Sequence, residues 1–163
     1  MDRTFDQQTF RRAMGAFATG ITIMTTPDDD TSGTGIHGMT ANSFTSVSLD
    51  PPLVLVSVDK RTRMHGLVDK QKVFGVTVLD ASQEGVSRHF AGQPNDEVAK
   101  GLRYEWVDGI PVLADGLTTV ACKLWAQYDG GDHTLYIGEV VQMTQQEGAP
   151  LLYVRGQYKQ VGN

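Results

Sequence analysis

The sequence has one cysteine in 163 residues, no Lys/Arg run, no stretch of 18 consecutive apolar residues and only 8% aromatics. Cys122 therefore has no partner for an internal disulfide, and with no Cys-x-x-Cys pair a thiolate zinc site cannot be built. Such cysteine usage fits a reducing, cytoplasmic compartment. The opening Asp2-Arg3-Thr4-Phe5-Asp6 carries charges of both signs and no apolar stretch, so no secretory signal is expected. No run is long and apolar enough to form a membrane-crossing helix. With 14 Lys+Arg against 19 Asp+Glu the net charge is −5 and the pI near 5.2, which denies a nucleic acid or an anionic membrane the basic surface it needs. What is present is a 40% hydrophobic, 20% charged chain of the length of one domain, residues 1–163, suited to a small-molecule or protein partner.

Between residues 6 and 19 the apolar Phe10, Ala13, Met14 and Phe17 recur at three- and four-residue steps, predicting an amphipathic helix with Asp6 as N-cap and Gly20 as stop. Residues 21–26 are short and β-branched and read as a strand, followed by a polar turn over 27–33 whose Asp28-Asp29-Asp30 is expected to be a solvated tip. Residues 36–48 favour an extended chain ended by Asp50-Pro51-Pro52, and 53–58 form a continuous apolar run expected to be covered on both faces. A short helix is expected over 62–70, a strand over 73–79, a helix over 82–90 capped by Ser82, and a loop over 93–110. Three strands, 118–128, 134–144 and 150–160, follow. Repeated strands with few helices and no β–α–β alternation predict a mainly β, α+β domain, of antiparallel or β-barrel type.

Gly33-Thr34-Gly35-Ile36-His37-Gly38 has the spacing of a dinucleotide fingerprint, but residues 39–48 are poor helix formers and cannot supply the helix N-terminus that the fingerprint needs. A glycine-rich hairpin turn is the better reading. Residues 39–48 instead carry five hydroxyls, Thr40, Ser43, Thr45, Ser46 and Ser48, and the amide of Asn42. Strand alternation would send Thr40, Asn42, Phe44, Ser46 and Ser48 to one face, suited to the polar edge of a planar heterocycle or to a phosphate. An ordinary exposed Ser/Thr strand fits the same composition. His37, His65, His89 and His133 show no metal-ligand spacing, so no metal is expected. His133 lies in Gly130-Gly131-Asp132-His133-Thr134, where glycines let a ligand approach and Asp132 can orient the imidazole. It reads either as a ligand contact or as an exposed turn histidine. Cys122, inside Val120-Ala121-Cys122-Lys123-Leu124, reads as core, and no nucleophile elbow is present.

The segments Phe10-Arg11-Arg12-Ala13-Met14-Gly15-Ala16-Phe17-Ala18-Thr19-Gly20-Ile21-Thr22 and Gly38-Met39-Thr40-Ala41-Asn42-Ser43-Phe44-Thr45-Ser46-Val47-Ser48-Leu49-Asp50-Pro51-Pro52-Leu53-Val54 resemble the short-chain flavin reductase family. The likeness continues through Phe90-Ala91-Gly92-Gln93, Gly131-Asp132-His133-Thr134-Leu135-Tyr136-Ile137-Gly138-Glu139-Val140 and Pro150-Leu151-Leu152-Tyr153-Val154-Arg155-Gly156-Gln157-Tyr158. Within the family it resembles the reductase components of bacterial two-component phenol hydroxylases. The resemblance implies a Greek-key split β-barrel with a few short peripheral helices, a homodimer, and a flavin, FAD or FMN, near the dimer interface. It implies hydride transfer from NADH or NADPH and release of reduced flavin to a partner monooxygenase. Carried onto this chain, Met39, Thr40, Ala41, Asn42 and Ser43 with Ser46, Val47 and Ser48 would contact the flavin, as would Phe90, Ala91 and Gly92. Ser57, Lys60 and Arg61 would serve its phosphate. Gly131, Asp132 and His133, with Tyr153 and Tyr158, would contact the nicotinamide nucleotide. Hydride passes directly between stacked rings, so no catalytic side chain is assigned. Other split-barrel flavoenzymes, such as pyridoxamine-phosphate oxidase relatives, and non-enzymatic flavin-binding modules are the alternatives.

Overall fold

The computed structural model describes residues 2–30 and 33–162; Thr31 and Ser32 of the expected 27–33 turn lie outside the described residues. The Asp6 carboxylate accepts from the Thr9 N–H at 2.7 Å and opens α1 (Gln7–Met14). This helix stops at Gly15, before the expected Gly20: the Ala16 and Phe17 N–H groups bond three residues back, to the Ala13 and Met14 carbonyls at 3.2 and 3.0 Å, and the Arg155 N–H takes the Gly15 carbonyl at 2.7 Å. Next come β1 (Thr19–Gly20), β2 (Thr22–Pro27), β3 (Ile36–Ala41), β4 (Phe44–Leu49), β5 (Pro52–Asp59), α2 (Arg63–Gln71) and β6 (Val73–Val78). A 3₁₀ turn, Ala81–Gln83, leads into α3 (Glu84–Phe90) and α4 (Asp96–Gly101). Then follow β7 (Tyr104–Val107), β8 (Ile110–Leu113), β9 (Thr118–Gly130), β10 (His133–Gln145), β11 (Leu151–Val154) and β12 (Gln157–Gln160).

Seven strands form one antiparallel sheet in the order β3-β2-β6-β9-β10-β5-β4. Its two edges, β3 and β4, are consecutive in the chain and joined only by Asn42 and Ser43. Flat, such a sheet would measure about 29 Å between edge strands, whereas the link from Ala41 to Phe44 reaches at most about 11 Å. The sheet must curl until its edges approach, and β3 and β4 do not pair across the seam. This is a mainly β, barrel-like wall with short helices outside it. Small sheets β1-β11-β12 and β7-β8 complete the described fold.

Inside the curl, alternate residues of β2, β5, β6, β9 and β10 meet two from α2 in one core that includes Met24, Val56, Phe74, Cys122, Tyr136 and Val68. Outside it, Ile21, Ile23, Leu79, Leu113 and Leu151 form a second cluster on which Phe90, Tyr153 and Tyr158 pack. Strands covered on both faces include β2 and β6, while β5 alternates, with Val54, Val56 and Val58 buried and Leu53, Leu55 and Ser57 only half-buried.

Other sequence expectations are corrected by local chemistry. The 3₁₀ turn before α3 is capped by Asp80, which forms a capping box with Gln83; Ser82 merely donates to the same carboxylate. The expected 93–110 loop contains α4, capped by Asn95, and β7, which pairs with β8 across Asp108-Gly109, both residues at positive φ. The expected 150–160 strand is a hairpin, because Arg155-Gly156 turns the chain in the same way. Asp28 is no solvated tip: it is buried, and Arg63 donates to both its oxygens at 2.7 and 2.8 Å. Arg63 holds the Asp28 carboxyl below the usual carboxylate range, against the desolvation that works the other way.

Candidate functional site

The candidate residues fall into three groups of side chains. At the seam, the Ala41 carbonyl accepts from the Thr22 hydroxyl at 2.7 Å, and the Ser43 hydroxyl donates to the Ser57 carbonyl at 2.7 Å, which ties the β3–β4 link to β5. Thr40 donates to the Ser87 carbonyl at 2.6 Å, while the Phe90 ring lies against Gly38, where a Cβ would fall 2.5 Å from it. These contacts bring Met39, Thr40, Ala41, Ser43 and Ser57 together with Phe90 and the Ala91-Gly92 turn. The single polar face expected for residues 40–48 does not form. β3 ends at Ala41, and at Val47 a bulge sets Ser46 opposite Val54 but Ser48 opposite Leu53, neighbours on opposite faces of β5. Asn42, Ser46 and Val47 are exposed.

At the β9–β10 turn, His133 pairs with Asp59 across the ladder, and the Asp132 carbonyl accepts from the Lys60 N–H at 3.0 Å. The Asp132 carboxylate lies 2.7 Å from His133 Nδ1, so it fixes the imidazole. Lys60 and Arg61 join this turn, separate from the seam hydroxyls, and each is engaged by a carboxylate: Lys60 by Asp129, Arg61 by Asp59 at 2.7 Å. The His133 hydrogen bond lowers the Asp132 pKa and the Lys60 hydrogen bond that of Asp129; Arg61 does the same to Asp59. An anionic ligand at Lys60 or Arg61 would share these cations with carboxylates that are ionised.

The third group separates Tyr153 and Tyr158 from the Gly131-Asp132-His133 turn with which they were expected; among the described residues no hydrogen bond or ring contact joins them to it. Their rings meet edge to face at 5.4 Å, the Tyr158 hydroxyl lies 2.8 Å from Ser87 Oγ, and the Arg88 guanidinium sits 4.8 Å from the centre of the Tyr158 ring. With Glu84, Arg88, Ala91 and Gln93 they border a cavity of about 600 Å³. Ser87 links this cavity to the seam, since its carbonyl receives Thr40 and its hydroxyl meets Tyr158. Ser87 and Arg88 carry no motif in the sequence, and Gln93 stands in one without an assigned role. Only the Glu84–Arg88 spacing, which does form an ion pair at 2.6 Å, hinted at them.

Cys122 is buried and its thiol pushed up to about 12 by desolvation, which removes it as a nucleophile. Among the described residues no cluster of three or more His, Cys, Asp or Glu side chains could hold a metal ion, and no helix is long and apolar enough to cross a membrane. The site offers stacking surfaces, hydroxyls and unpaired sheet edges, with one oriented imidazole.

Comparison with known proteins matches residues 14–162 to the model of a flavin reductase like domain. An NADH-dependent flavin reductase of a Rhodococcus species is 42% identical over 149 residues, 91% of this chain and 83% of that protein. The reductase component of 4-hydroxyphenylacetate 3-monooxygenase from Thermus thermophilus is 35% identical over 95% of this chain and 97% of its own length. Among solved structures, the NADH:FAD oxidoreductase SgcE6 of Streptomyces globisporus, in complex with NAD and FAD fragments, superposes with a TM-score of 0.87 at 35% identity, covering 99% of this chain and 96% of that one.

Proposed function

The chain belongs to the flavin reductase like domain family, and on that premise we propose that it is an NADH-dependent flavin reductase that reduces FAD or FMN and supplies the reduced flavin to a separate monooxygenase. The observation that carries the site reading is the β3–β4 seam. Both strands are sheet edges there, so backbone N–H and C=O groups are left without ladder partners beside the exposed Asn42 amide and Ser46 hydroxyl. This donor and acceptor set fits the polar edge of an isoalloxazine, and the adjoining Phe90 ring fits its apolar body.

A flavin held at the seam would supply the hydride acceptor and would carry added negative charge on its polar edge once reduced. Hydroxyls and backbone N–H groups of the seam stabilise that charge without titrating. Ser57 extends the seam, while Lys60 and Arg61 share their charge with a phosphate of one of the two nucleotides. His133, fixed by Asp132, orients the nicotinamide nucleotide, and Tyr153 and Tyr158 supply a stacking wall. Water-excluding closeness of two rings is the main catalytic requirement.

The protein acts as a homodimer in this reading. Phe10, Met14 and Phe17 are 52%, 56% and 80% exposed on the first helix and its exit, and Trp125 and Met143 are bare on β9 and β10. A second copy covers apolar surface of this extent. A cytoplasmic location accords with one buried, unpaired cysteine.

The experiment is oxidation of NADH by the purified protein with FAD or FMN in excess over enzyme. Turnover beyond one equivalent of flavin, with no other substrate, is expected; no oxidation with either flavin removes the reading. Light scattering at micromolar concentration checks the dimer, and a monomer reducing flavin at full rate refutes it.

A further inference from the structure

Beneath the His133 turn lies a polar cluster that hydride transfer does not use. Thr134 and Tyr136 face α2 from β10, and both are buried. The Tyr136 hydroxyl donates to Asp69 Oδ1 at 2.7 Å and lies 3.2 Å from the His65 carbonyl, while the two rings meet at 5.7 Å. The second Asp69 oxygen stands 3.7 Å from His65 Nδ1, and His65 Nε2 lies 2.9 Å from the Thr134 hydroxyl. The Asp69 carboxylate flanks the ring on its Nδ1 side and the Thr134 hydroxyl on its Nε2 side. Asp69, His65 and Thr134 thus stand in the order of an acid, base and nucleophile triad. Thr134 is 6% exposed and lies outside the cavity bordered by Tyr153 and Tyr158, so its hydroxyl is closed to a substrate held there. The cluster can act only by holding its neighbours.

The neighbour that matters is His133. Alternation along β10 points Thr134 into α2 and His133 to the opposite face, so anchoring one side chain sets the direction of the other. The same turn is gripped by the Lys60 N–H on the Asp132 carbonyl, from the residues that lead into α2. We propose that His65 is a positioning residue: its contact with Thr134, backed by Asp69 and Tyr136, holds the β9–β10 turn so that His133 presents its imidazole to the nicotinamide nucleotide. This rests on the reading of His133 as a contact to that nucleotide.

Thr134→Val keeps the shape of the side chain and removes the hydroxyl. It raises the KM for NADH about three- to tenfold, while kcat and the flavin Kd stay within about twofold. Thr134→Ser restores the KM. A merely structural loss would reduce the amount of active enzyme and lower kcat with KM unchanged. In the double variant with His133→Ala, the KM is no higher than in His133→Ala alone, because the anchor matters only through that imidazole. Should Thr134→Val not fold, His65→Phe removes the same contact from the other side with the same expectation. A KM that rises in His133→Ala but not in the Thr134 or His65 variant overturns the anchor and spares the reading of His133. Independent, multiplying effects in the double variant overturn it equally. A KM unmoved in His133→Ala sinks the reading of His133, and the anchor with it.

Discussion

Gly38→Ala tests whether β3 and the 90–92 turn form one surface. A Cβ on Gly38 would stand 2.5 Å from Cε1 and 2.7 Å from Cδ1 of Phe90. Carbon atoms in contact sit about 3.5–4.0 Å apart, so the ring must withdraw by about 1 Å or more. α3 cannot back away as a body, because the Ser87 carbonyl is held by Thr40 at 2.6 Å and its hydroxyl by Tyr158 at 2.8 Å. The ring therefore turns on its own bonds and loosens its packing on the cluster of Ile21, Leu79 and Leu151. Overpacking of this kind costs about 2 kcal/mol, which in a chain of this size lowers Tm by about 4–8 °C. Because the displaced ring borders the seam, flavin binding should weaken about five- to tenfold, measured by fluorescence titration, while the KM for NADH at saturating flavin is unchanged. In a Phe90→Ala background the obstruction is gone, and adding Gly38→Ala should cost almost nothing further in Tm or flavin affinity. Gly38→Ala with Tm within about 1 °C and an unchanged flavin Kd would refute the argument that Phe90 is locked between β3 and α3.

His133→Ala should lower kcat/KM for NADH by about 10–100-fold, mainly through KM, with flavin affinity intact, as steady-state NADH series and flavin titration will read. Ser46→Ala should weaken flavin binding by about 1–2 kcal/mol through one lost hydrogen bond and spare the NADH kinetics. Asp28→Asn removes the buried partner charge of the half-exposed Arg63 and should cost about 2–3 kcal/mol in a urea titration at pH 7. The folded-state pKa of Asp28 is lowered by Arg63, so its contribution is present above the ordinary value of 3.8 and lost as pH falls through the lower folded value. The gap between wild type and Asp28→Asn should therefore close on acidification, and a gap that widens below pH 4 would contradict this.

What the sequence disclosed and what it hid divide along contact distance. The N-caps Asp6 and Thr62 fix their helix starts locally, and the strands 73–79, 118–128 and 134–144 appear with small boundary shifts because their β-branched pattern is local as well. The turn signals Asp108-Gly109 and Arg155-Gly156 are local too, and each closes a hairpin where the strand pattern alone reads as a loop or as one long strand. By contrast, nothing near Asp28 announces Arg63, 35 residues on, and nothing near Tyr158 announces Ser87, 71 residues away. Charge and hydroxyl content identify groups that need partners, but the curl of the sheet chooses those partners. The candidate site splits the same way. Its seam was legible as a run of hydroxyls, yet the bulge at Val47 undid the predicted face, because a one-residue insertion is set by pairing with β5 and leaves no mark in the pattern.

The first helix carries the argument one step further. Its apolar spacing is real, since Phe10 and Met14 do share a face, but no residue of the helix is buried by the rest of the chain. Periodicity states that a face should be covered and is silent about whether the cover comes from the same chain. If a second copy supplies it, substituting Phe10 and Met14 together with Glu should leave the fold of one chain intact, since neither side chain packs in a core cluster, while dissociating the dimer. Light scattering and NADH oxidation on the same sample separate the two consequences. A halved mass with much weaker flavin binding places the flavin groove against the partner copy, a halved mass with full activity places it within one chain, and an unchanged mass refutes the assignment of this helix face to the interface.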